Sequence, residues 1–212
     1  MDKDKATAEK NYSQDIFEIR SMMEKSSRFM ALSGLSGVLA GVYALIAAYI
    51  SYQIFYFSDE IIYESLAYQK LSGNVIKLLL VAVATLVMAV GTGFLLSYRR
   101  AKKNDQKMWD ATARRMLINF GIPLATGGIF VLIMFFKGAI GLLAPATLIF
   151  YGLALVNGSK YTYSDIRQLG LLEILLGLAS CYFIGYGLLF WTIGFGVLHI
   201  IYGAVMYFKY ER

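Results

Sequence analysis

The chain has 212 residues, of which 58% are hydrophobic and 16% are charged; its mean hydropathy is +0.58 and its net charge is +6. This composition excludes an ordinary soluble domain, which is only about half apolar and about one quarter charged. The single cysteine, Cys181, and the single histidine, His199, exclude an internal disulfide and metal sites built from several such residues. The sequence therefore predicts no metal ion and no cofactor.

The first 29 residues are predicted to be a cytoplasmic tail that ends in an amphipathic helix at 13–29. Ser13 can cap that helix, and Asp15 lies in its first turn. Ile16, Ile19 and Met23 fall near one face, which is typical of a helix lying in the membrane interface. This segment either leads into the first span or also serves as a docking site for a cytoplasmic protein partner.

The rest of the chain is predicted to be an all-α integral membrane protein. Its apolar residues lie in long blocks, and a membrane span needs roughly 20 of them. These spans must be helices, because hydrocarbon offers no partners to backbone polar groups. A six-helix domain is expected at 30–208, followed by a cytoplasmic tail at 209–212, with a larger outer loop at 54–74. The six spans cover about 30–53, 75–98, 116–136, 139–157, 168–186 and 188–208.

Basic residues predict the orientation. All of the 20 Lys and Arg residues except Lys70, Lys77 and Lys137 fall in segments on one side of the six spans. The positive-inside rule places that side, with both termini, in the cytoplasm of a multi-pass protein of the bacterial inner membrane. The net charge is then explained by topology and by the lipid bilayer as partner. The basic loop after the second span has no base-reading fold beside it, so nucleic acid is not an expected partner.

Small residues two turns apart recur in every span. Gly34 and Gly41 in the first span match Gly121 and Gly128 in the third. Such residues let neighbouring helices approach closely, so the pattern predicts three repeated helical hairpins. The residues predicted to pack between helices are Gly34, Gly37, Gly41, Gly121, Gly128, Gly152, Gly170, Gly177, Gly196 and Gly203.

The last hairpin, LGLLEILLGLASCYFIGYGLLFWTIGFGVLHIIYGAVMYFKYE, resembles the two-helix unit of the HdeD-like acid-resistance membrane proteins. The middle hairpin, FGIPLATGGIFVLIMFFKGAIGLLAPATLIFYGLALVNGSKY, is similar to the same unit. The resemblance implies six spans in repeated pairs and suggests a link to acid stress. It supplies no catalytic signature, and the long outer loop departs from the compact unit. The chain also resembles uncharacterised six-span bacterial proteins.

Two ionisable residues lie inside the last hairpin, at equivalent steps of the repeat. Glu173 follows Gly170 by three residues, and His199 follows Gly196 by three. Helical rise separates the two by roughly 7 Å in depth, which two side chains or one water can bridge. We expect both side chains to point into the bundle, because an ionisable group that faces lipid has a high free-energy cost. Tyr151 and Asn119 are the next polar candidates.

This pair leaves several functions open. It is either an interhelical hydrogen bond that holds the hairpin together, a proton- or ligand-responsive site, or two isolated residues. No arrangement of nucleophile, base and acid is recognisable, so the sequence predicts a protein that is not an enzyme. The candidates are a stress-related membrane protein, a small transporter or channel subunit that would need to form a homo-oligomer, and a scaffold or sensor for a cytoplasmic partner.

Overall fold

The computed structural model describes residues 32–56, 73–103 and 109–212. All regular structure in these ranges is helical. The predicted amphipathic helix at 13–29 and most of the predicted outer loop at 54–74 lie outside the described residues. Within the described ranges, the prediction of an all-α architecture is confirmed.

The described helices overlap the predicted spans in sequence. The final one is continuous from Gly187 to Tyr210 and has a π-helical middle, Thr192–Leu198; we call it the final helix. Short 3₁₀ turns at Ile140–Leu142, Ser159–Tyr161 and Ile184–Tyr186 connect neighbouring helices. The α-helices are α1 (Gly34–Tyr56), α2 (Gly73–Lys103), α3 (Ala111–Phe136), α4 (Leu143–Gly158), α5 (Asp165–Tyr182), and α6 (Gly187–Trp191) and α7 (His199–Tyr210) of the final helix.

Five of the described helical segments are long and apolar enough to cross a membrane, which is compatible with a multi-pass membrane protein. The helix outside this set is α5, which contains three charged residues, Asp165, Arg167 and Glu173. It also ends at Tyr182, earlier than the predicted boundary at 186, because the backbone of Phe183 leaves the helical conformation. The five segments are Gly34–Ile54, Ile76–Lys103, Ala111–Phe136, Ile140–Tyr161 and Ile184–Tyr210.

Glycines set the close contact between α1 and the final helix. A side-chain carbon added at Gly41 would lie 2.6 Å from the carbonyl oxygen of Gly196 and 2.9 Å from the amide nitrogen of Ile200. One added at Gly203 would lie 2.7 Å from the carbonyl oxygen of Gly34. Since backbone cannot move aside as a side chain can, these positions require glycine for the two helices to approach this closely. Gly37 lies in the same contact.

The contact between α4 and α5 has the same form. A carbon added at Gly177 would lie 3.0 Å from both the carbonyl oxygen of Pro145 and the amide nitrogen of Ile149. One added at Gly152 would lie 2.6 Å from the carbonyl oxygen of Gly170. The predicted glycine steps in these helices therefore lie between helices.

The structure does not place Gly121 and Gly128 of α3 against a neighbouring helix, which corrects the prediction for these two residues. No described atom of another part of the chain lies within 4 Å of a carbon added at either position. The helix uses Gly127 instead, which contacts the ring of Phe150 on α4. One residue corresponds to a rotation of about 100° on a helix, so Gly128 points away from the contact.

A polar cluster ties the two ends of the described chain together; we call it the Arg100–Glu211 cluster. The guanidinium of Arg100 lies 2.7 Å from a carboxylate oxygen of Glu211 and also donates to the carbonyl oxygens of Leu32 and Tyr210. Glu211 in turn accepts from the amide of Gly34, the first residue of α1. The cluster thereby satisfies a helix N-terminus that otherwise lacks backbone partners.

A second ion pair lies beside this cluster, at the start of α5 and before the predicted span. Asp165 accepts hydrogen bonds from Tyr210, at 2.7 Å, and from Lys209, at 3.0 Å. Burial alone would raise the pKa of the Asp165 carboxyl, but these two hydrogen bonds outweigh it and lower the pKa below its ordinary value. Both pairs hold the C-terminal end of the final helix to its neighbours.

Candidate functional site

The structure brings Glu173 and His199 together in the interior of the bundle. Glu173 is completely buried, and His199 is 6% exposed. A carboxylate oxygen of Glu173, Oε1, lies 3.4 Å from Nδ1 of His199. The distance suits an ion pair but is longer than a good hydrogen bond, which falls at about 2.7–3.2 Å. Both side chains point into the helical bundle.

Each nitrogen of the His199 ring has a closer partner than Glu173. Nδ1 lies 2.9 Å from the carbonyl oxygen of Gly194, and Nε2 lies 2.9 Å from the hydroxyl oxygen of Tyr151. Because a carbonyl can only accept, Nδ1 holds a proton and donates it to Gly194. In neutral His199, Nε2 then accepts from the Tyr151 hydroxyl; in charged His199 it donates to that oxygen. Tyr151 thus adjusts to either state of the histidine.

The π-helical stretch Thr192–Leu198 lies directly opposite Glu173. π-Helical turns are rare and occur frequently at functional sites. Here the wider turn contains Gly194, whose carbonyl accepts from the side chain of His199, five residues later. The backbone of the final helix is therefore part of the site.

Gly194 also makes room for the acid. A side-chain carbon at this position would collide with Oε2 of Glu173 and would lie 2.6 Å from Cδ2 of Leu148. The Glu173 carboxyl is thus packed against the backbone of the final helix, beside the side chain of Leu148. The sequence analysis did not single out Gly194, because no sequence pattern indicates which side chain a glycine inside a span packs against.

Hydrogen-bond partners for the acid are scarce. Among the described residues, neither oxygen of the Glu173 carboxyl has a hydrogen-bond partner, and neither does the buried hydroxyl of Ser180. Buried polar groups in proteins are nearly always hydrogen-bonded, and an unpaired buried charge costs several kcal/mol. Glu173 is therefore stable as a neutral acid or beside a charged His199, but poorly stable as a lone carboxylate.

Aromatic rings surround the polar groups. The ring of Phe195 lies 5.0 Å from that of Tyr151 and 5.7 Å from the His199 imidazole, measured between centroids. Phe120 contacts Tyr151 edge-on at 6.2 Å, and Trp191 lies 5.1 Å from Phe195. These rings give the polar groups apolar neighbours, and electrostatic interactions are stronger in such surroundings than in water.

Asn119, the fourth sequence candidate, lies elsewhere. Its amide nitrogen donates to the carbonyl oxygen of Arg115, at 2.8 Å, and to the hydroxyl of Tyr161, at 3.3 Å. The first bond lies within α3, and the second joins α3 to the 3₁₀ turn after α4. The structure therefore assembles three of the four candidates, Glu173, His199 and Tyr151, which we call the Glu–His–Tyr cluster.

The described residues contain no group of three or more His, Cys, Asp or Glu side chains placed to hold a metal ion. Comparisons with protein-family models, curated proteins and solved structures found no match to this chain.

Proposed function

We propose that this chain is a non-enzymatic sensor of the inner membrane, in which the Glu–His–Tyr cluster responds to protonation. The observation behind the proposal is the 3.4 Å separation of the Glu173 carboxyl and the His199 ring in a buried site. Two ionisable groups on two neighbouring helices are stable together when both are neutral or both are charged. Adding or removing one proton leaves a single buried charge, which favours a different packing of the helices.

We further propose six spans, in three related hairpins, with α5 as the fifth span and both termini cytoplasmic. Support comes from two contacts that use corresponding residues of the proposed repeat. Gly34 and Gly41 meet Gly203 and Gly196 of the final helix, and Gly170 and Gly177 meet Gly152 and Pro145 of α4. The distribution of basic residues along the sequence supports the orientation.

The packing around the acid favours a sensor over a transporter. A transported ion or solute needs a path to its binding group, whereas Glu173 is fully buried against Gly194. A proton can reach such a site through transient local opening, without a standing channel. A transporter or channel subunit remains the second candidate, and measurement of proton flux in liposomes separates the two. The proposed link to acid stress is supported by the sequence resemblance to the HdeD-like proteins alone.

NMR of the imidazole nitrogens tests the proposal directly, because His199 is the only histidine and gives one set of signals. We expect the Glu173→Gln variant to titrate at a different pH from the parent, since the group facing Nδ1 has lost its ability to ionise. Asp165→Asn is the control, because it removes a carboxylate from the same helix outside the cluster. Identical titration curves in all three proteins would refute a coupled pair.

A further inference from the structure

Ser180 is a second buried polar residue on the face of α5 that carries Glu173. It follows Glu173 by seven residues, which is two helical turns or about 10 Å along the axis. Both side chains are 0% exposed, and among the described residues neither has a hydrogen-bond partner. The final helix places glycines opposite them, Gly194 beside Glu173 and Gly187 beside Ser180. The two polar groups therefore face the same contact between α5 and the final helix.

The hydroxyl of Ser180 is not used inside its own helix. Helical Ser and Thr hydroxyls often donate to the carbonyl oxygen three or four residues earlier. In the described chain those of Thr85, Thr92, Thr126, Thr147, Ser159 and Thr192 do so. The Ser180 oxygen instead lies 4.0 Å from the position of a side-chain carbon at Gly187. Because a hydroxyl can donate and accept at the same time, Ser180 can pass a proton between two neighbours.

The end of the bundle nearest Ser180 is exposed; we call it the turn end. Here α5 ends at Tyr182, and the 3₁₀ turn Ile184–Tyr186 leads into the final helix. The large side chains at this end are exposed, namely those of Tyr182, Phe183, Ile184 and Tyr186. Ser180 therefore lies between Glu173 and an exposed end of the bundle.

In the opposite direction the Glu–His–Tyr cluster borders a hydrophobic core, against which Tyr151 packs. The buried members of this core are Leu155, Tyr163, Ile166, Leu169 and Met206. The ion pairs of Asp165 with Lys209 and of Arg100 with Glu211 lie at the far end. Apolar side chains offer a proton no hydrogen-bond partner, so this direction is the poorer route to Glu173.

We infer that protons reach the Glu–His–Tyr cluster from the turn end by way of Ser180, so that the cluster responds to the pH on that side of the membrane. The inference rests on the proposed function and adds the direction from which the proton arrives. In the proposed orientation, with both termini cytoplasmic, the turn end faces the periplasm. The cluster then senses periplasmic pH.

The transfer takes place during local opening of the contact between α5 and the final helix, when water enters from the turn end. A hydronium ion gives a proton to the hydroxyl oxygen of Ser180, and the hydroxyl's original proton passes through water to the carboxylate of Glu173. The ionisable groups that face Glu173 are His199 on the final helix, at 3.4 Å, and Tyr151 on α4, which bonds to His199. Residues 181–198 include no Asp, Glu, Lys or Arg, so no charged side chain of this segment competes for the proton on its way.

Solid-state NMR of His199 tests the direction in proteoliposomes whose lumen and outer buffer differ in pH. Labelling Tyr186→Cys with a membrane-impermeant maleimide, in a chain with Cys181 replaced by serine, gives the fraction of molecules whose turn end faces outward. In a preparation with unequal orientations, we expect this same fraction of the His199 signal to follow the outer pH. If the complementary fraction followed it, the proton would arrive from the other end and the inference would be wrong. A signal that titrates from neither side would refute the proposed function as well.

Time-resolved infrared spectroscopy after a pH jump tests the role of Ser180, with the carboxyl band of Glu173 assigned by its loss in Glu173→Gln. We expect Ser180→Ala to slow protonation of Glu173 by about fivefold, the effect of losing one net hydrogen bond. Its unfolding temperature should not fall, because the hydroxyl removed has no described partner. The matched control is Ser159→Ala, which removes a buried hydroxyl at the other end of α4. An unchanged rate in Ser180→Ala, or equal slowing in both variants, would overturn the route through Ser180.

Discussion

The carboxyl group of Glu173 occupies the space into which a side chain at Gly194 would project. Glu173, the π-helical turn and His199, which the turn positions, are therefore one packed unit. Changing any of the three should disturb the other two.

Gly194→Ala should lower the free energy of unfolding by about 1–3 kcal/mol, because the added methyl group overpacks the contact with Glu173 and Leu148. Denaturant unfolding in detergent measures the loss. Adding Glu173→Ala to Gly194→Ala should restore part of the lost free energy of unfolding. A double-mutant cycle measures this restoration as coupling between the two positions. Gly93→Ala, at an open position on α2, is the control and should be nearly neutral. Strict additivity of the two changes would contradict the packing argument.

Gly177→Ala should destabilise the protein, whereas Gly128→Ala should not. The first substitution brings a carbon within 3.0 Å of backbone atoms at Pro145 and Ile149, and the second meets no described neighbour. We expect a loss of about 1–3 kcal/mol for Gly177→Ala. Gly128→Ala should show no loss or a small gain, because alanine has the higher helix propensity. Equal melting temperatures for the two variants would show that α4 and α5 are not in close contact.

The sequence predicted the all-α architecture and its long apolar helices, because hydropathy depends on the solvent that each segment meets and not on its partners. The sequence also predicted that Glu173 and His199 lie within reach of each other. Helical rise gives their relative depth, and the free-energy cost of a charge in lipid predicts that both side chains point into the bundle. It could not predict which face of α3 meets α4. Gly127 and Gly128 differ by one residue in sequence but by about 100° on the helix, and only the packing of all the helices selects between them.

The π-helical turn and the Arg100–Glu211 cluster were also beyond the sequence. Within the π turn the Gly194 carbonyl accepts a hydrogen bond from the His199 side chain, and no periodic sequence pattern encodes this contact. Arg100 was counted with its neighbours as part of a basic loop that fixes orientation. Its buried contacts with Glu211 and Leu32 come from residues far apart in the chain.

Arg100→Gln should destabilise the protein by about 1–3 kcal/mol, because the change leaves the carboxylate of Glu211 and two backbone carbonyls without their charged donor. Arg99→Gln removes the same charge from an exposed neighbour and should change stability by less than about 0.5 kcal/mol. Thermal unfolding of both variants measures the difference. If Arg100→Gln and Arg99→Gln destabilised the protein equally, Arg100 would contribute through net charge and not through the Arg100–Glu211 cluster.

Asp165 should contribute stability that depends on pH. Its lowered pKa means that the folded protein favours the ionised acid, so the contribution is present above the ordinary value of 3.8 and is lost as pH falls through the lowered pKa. The stability difference between the parent and Asp165→Asn should therefore be largest near neutral pH and should shrink below about pH 4. Unfolding measured at both pH values tests this. A stability difference that grows as the pH falls would contradict the lowered pKa of Asp165.

In the proposed function, protonation of the Glu–His–Tyr cluster changes the packing of α5 against the final helix. Electron paramagnetic resonance measures this spacing between spin labels at Leu175 and Val205, two exposed positions, in a chain with Cys181 replaced by serine. We predict that the distance distribution shifts across the pH range in which His199 titrates, and that Glu173→Gln abolishes or displaces the shift. Distributions that stay the same across that range in the parent protein would contradict a proton-responsive function.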